Sequence, residues 1–213
     1  MKIKSKKRNL QNCTEEEGCR RSGKERRPID SLKAIIDDYN KRHQKNLENY
    51  LQDISQGTII DCIAGRLNEV QPLPDNSTDR YKKYLHQRRF TNKIINNAAK
   101  VFEKVVKKSF ATFDELYEAL KESRPKGIGP VAIYDFAIRY GLRQGLQPDE
   151  YVYIHAGTAK GLAALSKSGL SKYGHKILKS ELPEELQHIA SIDIENLLCI
   201  YKEELKQISN MNN

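Results

Sequence analysis

The stretch Arg124-Pro125-Lys126-Gly127-Ile128-Gly129-Pro130-Val131 constrains the fold of this chain more than any other. Its two prolines and two glycines cannot continue a helix. On both sides apolar residues recur at helical spacing, so the chain must form a helix, turn sharply and form another. Upstream, Thr112 stands where an N-cap belongs and Glu115 completes a capping box, while Leu116 and Leu120 give an apolar side up to Ser123. Downstream, Pro130 suits a first helical position. Ile133, Phe136, Ala137 and Tyr140 then mark a helix to about Leu142, with Gly141 or Gly145 near its stop. The glycines let the backbone turn tightly and approach a ligand closely. A helix starting after them points free N–H groups and the positive end of its dipole outward, which suits a phosphate.

The same reading predicts a mainly α-helical protein. Leu32, Ile35, Ile36, Tyr39 and Leu47 give a helix over about 29–49, capped by Asp30 or Ser31. Ile59, Ile60, Ile63 and Leu67 give another over about 54–67. The run Gln71–Ser77 is a proline-bearing loop. A long helix is expected over about 79–108, capped by Ser77 or Thr78. Its apolar side is Tyr84, Thr91, Ile94, Ile95, Ala98, Val101, Phe102 and Val105. Tyr151-Val152-Tyr153-Ile154-His155 is the one β-type run. Thr158 caps a short helix to Leu165, a Gly/Ser/Lys loop covers 166–174, and one or two helices close the chain over about 183–208. The organisation expected is a disordered basic tail over 1–27, an N-terminal helical pair over 28–77, and a bundle-like helical domain over 78–213.

Charge sharpens this picture. The net charge is +9, and it is concentrated in two places. Residues 1–27 carry 10 basic and 4 acidic side chains, and residues 80–108 carry 10 and 1. On the expected long helix, Lys82, Arg89, Lys93, Lys100, Lys104 and Lys107 fall in one stripe, with Glu103 the sole acid. A one-sign stripe repels itself until a polyanion or acidic partner neutralises it. No apolar run approaches the roughly 20 residues that span a bilayer, and no secretory leader is evident, so a cytoplasmic protein is expected. The four cysteines, 13, 19, 62 and 199, lack zinc-ligand spacing and read as scattered thiols.

Helix 112–123, the turn Lys126-Gly127-Ile128-Gly129 and helix 130–142 together resemble a helix-hairpin-helix. That family implies DNA binding, with hairpin amides holding a backbone phosphate without reading sequence. Gly127, Gly129 and the hairpin hydrophobe Ile128 carry over, and Lys126 adds charge. Val131 stands where the family often has a phosphate-facing polar residue, and Ile133 where it usually has a small alanine. The block 127–158 is also similar to uncharacterised bacterial proteins, which implies no activity.

Two sets of residues bear on chemistry. Asp149 resembles, in its spacing from Gly127, the catalytic aspartate of helix-hairpin-helix DNA glycosylases, which implies base excision as an alternative. The usual Asp-Thr-His continuation is missing, and Val131 occupies the lyase lysine's place. His155, Thr158 and Lys160 form a candidate anion site where the β-type run meets a helix start. No metal-ligand spacing, cofactor motif or nucleophilic triad is present. The expectation is a non-enzymatic, sequence-independent DNA-binding protein, with an acidic protein partner as the remaining alternative.

Overall fold

A computed structural model describes residues 29–68, 72–165 and 174–211. The expected basic tail, Cys13 and Cys19, and almost all of the Gly/Ser/Lys loop lie outside the described residues. The fold is mainly helical with one small sheet, as expected.

Helix α1 (Leu32–Tyr39) is capped by Ser31, whose Oγ accepts the Ala34 N–H at 3.2 Å. It does not end at about residue 49. A π turn over Asn40–Gln44 carries it into α2 (Lys45–Ser55). A π turn holds one residue more than an α turn, which rotates the apolar stripe on leaving it. Ile35 and Tyr39 therefore enter a different core from Leu51 and Ile54. Helix α3 (Ile59–Ala64) opens on a capping box between Thr58 and Asp61 and stops at Gly65, which has φ +72°. A side chain at Gly65 would meet Tyr84 and Arg139, so both the turn and the close approach require glycine.

The expected long helix over 79–108 is half that length. Helix α4 (Asn92–Val105) starts at the Thr91 cap. Residues 79–91 instead wrap the core irregularly, with a 3₁₀ turn over Leu85–Gln87. Helical periodicity loses here to burial of particular side chains. Tyr81 and Phe90 are sunk in the core, and Tyr81 Oη donates to Asn96 while accepting the Leu73 N–H at 2.7 Å. Tyr84 packs on Tyr50, and its N–H donates to the Ala64 carbonyl. Tyr84, Lys82 and Arg89 are therefore not on a helix with Lys93.

Helix α5 (Phe113–Glu122) and helix α6 (Pro130–Gly141) follow the sequence reading closely. Thr112 Oγ1 accepts the Glu115 N–H, and the Glu115 carboxylate reaches back to the Ala111 N–H. After α6 a 3₁₀ turn runs to Gln144 and stops at Gly145, φ +71°. The β-type run forms β1 (Tyr151–Tyr153), and it has a partner that sequence reading misses. Strand β2 (Lys176–Leu178) pairs with it antiparallel, Val152 opposite Ile177. Helix α7 (Ala156–Leu165) begins ahead of Thr158. Three helices close the described chain: α8 (Glu184–Gln187), α9 (Ser191–Ile200) and α10 (Lys202–Met211).

Two hydrophobic cores result. The first gathers α2 to α6 around Ile95, Phe102, Leu116, Ile133 and Phe136. The second gathers α1, β2 and the C-terminal helices around Tyr39, Leu162, Leu186, Ile194 and Leu197. Strand β1 joins them through its two-residue period: Tyr153 faces the first core and Val152 the second. Tyr39 and Tyr201 fasten α1 to the closing helices, donating to Asp193 and Asp38 at 2.7 and 2.8 Å. Helix α7 lies backbone-close on α9. A Cβ at Gly161 would overlap the Leu198 carbonyl oxygen, and one at Gly157 the Cys199 sulfur. Among the described residues no helix is long and apolar enough to cross a membrane.

Candidate functional site

The turn between α5 and α6 is built from the backbone outward. Gly127 sits at φ +91°, in the left-handed region. Ile128 is buried, its N–H donating to the Pro125 carbonyl and its own carbonyl accepting Arg124 Nε at 2.7 Å. Gly129 is the N-cap of α6 and Pro130 its first residue, so the Val131 and Ala132 amides have no partner within the helix. Lys126 is exposed beside them.

The first turn of α4 lies against this hairpin. Ile94 packs under Gly127, where an added Cβ would stand 3.3 Å from it. Next to it the Arg89 guanidinium lies 3.9 Å from the Cβ position of Gly129. Of the six residues expected in one stripe, Lys93, Lys100 and Lys104 do share an exposed face of α4, and Lys107 is exposed just beyond its end. Arg89 reaches the hairpin from outside the helix. Lys82 belongs to the irregular segment, where its N–H donates to Asn68 Oδ1 at 2.7 Å.

The other candidates are placed elsewhere. Asp149 is exposed, its carbonyl accepts the Ser191 hydroxyl at 2.6 Å, and no described contact joins it to the hairpin. It follows α6, which at 1.5 Å per residue is about 18 Å long. His155 caps α7, its carbonyl accepting the Ala159 N–H. Thr158 is buried, and its hydroxyl points inward to donate to Glu195 at 2.8 Å. Lys160 is exposed. The three residues of the expected anion site are thus not brought together, and Thr158 serves an internal carboxyl.

That carboxyl belongs to a buried polar cluster that sequence reading misses. Glu195 on α9 is pushed up to about 7, mainly by burial. Burial lowers the His155 imidazole, so neutral pH finds it uncharged. The His155 ring lies 4.7 Å from the Tyr134 ring, and Tyr134 is sunk between Phe113, Tyr117 and Tyr153. Beside Tyr134, Asp135 Oδ2 accepts Gln87 Nε2 at 2.6 Å and stands 3.6 Å from Arg139. Arg139 is itself buried, donates to the Cys62 carbonyl and lies over Tyr50 and Tyr84. Among the described residues no group of acidic, histidine and cysteine side chains is arranged to hold a metal.

The signal for this cluster was a carboxylate within the otherwise apolar run Pro130–Ile138 and another within α9. Neither identifies its partners, which come from residues far apart in sequence. Comparison with known proteins adds no relative to this description: no protein-family model, no curated protein and no solved structure matches the chain.

Proposed function

We propose that this chain binds nucleic acid through its backbone phosphates, without reading sequence. The observation that carries the reading is the meeting of two elements. Ile94 under Gly127 and Arg89 beside Gly129 set the hairpin against the first turn of α4, whose exposed residues include Lys93, Lys100 and Lys104. The free amides at the start of α6 and the Arg89 guanidinium supply donors for one phosphate. Lys93, Lys100 and Lys104 extend the surface along about 16 Å of helix. Their single sign favours a polyanion, and releasing its counterions supplies most of the affinity. Of these cations only Arg89 carries a planar, bidentate guanidinium; the lysines are point charges suited to phosphates.

Titration with random-sequence duplex and single-stranded DNA at two salt concentrations tests this. Micromolar binding is expected, weakening steeply with salt, and the charge reversals Lys93→Glu and Lys100→Glu together abolish it. Arg89→Ala is expected to weaken both substrates alike. Absence of binding at low salt overturns the proposal, as does binding indifferent to the double reversal.

A further inference from the structure

Arg89 reaches the hairpin without a polar partner of its own. Among the described residues it has no hydrogen bond or ion pair, and besides Gly129 its guanidinium meets only the ring of neighbouring Phe90, 5.8 Å from the centroid. An exposed arginine with so few contacts has many rotamers open to it. What sets its place beside Gly129 is the backbone that carries it. That backbone is a tight turn. The Phe90 N–H donates to the Gln87 carbonyl at 3.0 Å, so Arg88 and Arg89 form the exposed tip, and Gln87 and Phe90 the two ends.

Both ends are sunk, at 1% and 2% exposure, but they are held differently. Phe90 is packed in the first core, and its carbonyl accepts Lys83 Nζ at 2.5 Å. Gln87 is held by its amide, which donates from Nε2 to Asp135 Oδ2 at 2.6 Å. Its Oε1 is buried without a partner, so the bond to Asp135 is the one that fixes the side chain. Asp135 belongs to α6, the same helix that Gly129 caps, and stands about 9 Å along it. One residue, Arg88, separates Gln87 from Arg89. The turn and the hairpin are thus referred to a single rigid helix. A hydrogen bond to a carboxylate is short and directional, whereas an apolar side chain of the same size would fill the volume without fixing the angle of the turn.

We propose that Gln87 is a positioning residue for phosphate binding: its bond to Asp135 holds Arg89 beside the hairpin amides. This rests on the phosphate-binding reading given above. Buried as it is, Gln87 touches no phosphate itself. It acts by ordering Arg89 before a ligand arrives, so that binding does not have to supply that ordering. Removing the bond leaves the charge of Arg89 intact and takes away only its placement.

A double-mutant cycle on Gln87→Met and Arg89→Ala in the full chain, titrated with random-sequence duplex DNA, tests this. Each single variant is expected to weaken binding about fivefold, and the double variant no further. Lys100→Ala, by contrast, is expected to multiply with Gln87→Met. The urea midpoint of Gln87→Met should stay near that of the wild type, because the lost bond is offset by removal of an unpartnered buried oxygen. Asp135→Asn should give the opposite pattern. Its carbonyl still accepts Gln87 Nε2, so binding is kept, while the buried Arg139 loses its ion pair and stability falls. Without DNA, the Gly129 amide signal in NMR spectra is expected to move on Arg89→Ala in the wild-type chain and not in the Gln87→Met chain. Absence of DNA binding by the wild type overturns the phosphate-binding reading, and the amide signal then decides by itself whether Gln87 places Arg89. Full additivity of Gln87→Met and Arg89→Ala overturns the proposal, as does wild-type affinity in Gln87→Met, weakened binding by folded Asp135→Asn, or an equal Gly129 shift in both backgrounds.

Discussion

Around Gly129, at the start of α6, the polar groups face solvent, carry positive charge and are supplied by neighbours a few dozen residues apart. Around Asp135, less than two turns further along the same helix, they are enclosed, acidic and drawn from residues 87 to 195. The first arrangement is made by backbone: a left-handed glycine and free amides do not depend on what packs behind them. The second is made by packing: Glu195 reaches the Tyr134 region only because α7 lies almost backbone-to-backbone on α9. One helix thus presents a rigid exposed surface at its tip and a cluster tuned by burial along its side. Apart from the Gln87 bond to Asp135, which holds the turn carrying Arg89, perturbing one should leave the other largely intact, and that independence can be measured.

The largest effect is expected at the α7–α9 contact. Gly161→Val places side-chain atoms where the Leu198 carbonyl sits, and backbone cannot yield cheaply. The loss should be at least about 3 kcal/mol in urea unfolding, with the second core failing first. Proteolysis in α1 and in residues beyond about 150, with the DNA titration unchanged for the remaining folded part, is the expected pattern. Simultaneous loss of both would break the comparison.

The next effect is a pH dependence. Glu195 is raised from an ordinary 4.5 to about 7 in the folded chain. The folded state therefore keeps a proton that the unfolded state has released. This group's penalty is absent below about 4.5, grows as pH rises towards 7, and is constant above it. The full shift corresponds to about 3 kcal/mol. Glu195→Gln should remove that slope, so the wild-type and variant unfolding free energies converge at pH 5 and diverge at pH 8. Parallel curves would show the carboxyl to be well hydrated.

A smaller effect separates two of the left-handed glycines, Gly127 and Gly145. Gly127→Ala should cost about 1–2 kcal/mol, because it combines a positive φ with the Ile94 contact. Gly145→Ala has the same backbone strain with open space around it, and should cost about 1 kcal/mol. The difference between their urea midpoints isolates the hairpin's packing on α4. Smallest of all, Lys100→Ala should change stability by less than about 0.5 kcal/mol. If Lys100 touches a phosphate, the slope of log affinity against log salt should fall by about 1 in the DNA titration.

What could be read from the sequence follows the same division. The turn, the Thr112 cap, the Pro130 start and the Gly145 stop depend on residues within a few positions of one another, and each is where local chemistry puts it, although Glu115 reaches the Ala111 N–H and not that of the cap residue. The lysine face of α4 was legible for the same reason. The segment 79–91 was not, because Tyr81, Gln87 and Phe90 are buried by contacts with α3, α4 and α6 that periodicity cannot weigh against helix formation. Strand β2 is three residues long and has meaning only opposite β1. The acidic cluster was hidden most completely. Asp135 and Glu195 stand out as acids in largely apolar helices, but nothing local links one to the other or either to Gln87.

The π turn at Asn40–Gln44 has a consequence for how this chain can change. Removing one residue from it would restore an unbroken α-helix, rotating everything upstream by about 100° relative to everything downstream. Ile35 and Tyr39 would swing away from Asp193 and the closing helices while Leu51 and Ile54 stayed in place. A substitution at the exposed Asn40 or Lys41 would do far less, whereas His43 packs on the Tyr39 and Tyr201 rings. Length in this segment is therefore constrained more tightly than identity: Asn40 and Lys41 can vary in kind, but the number of residues cannot change.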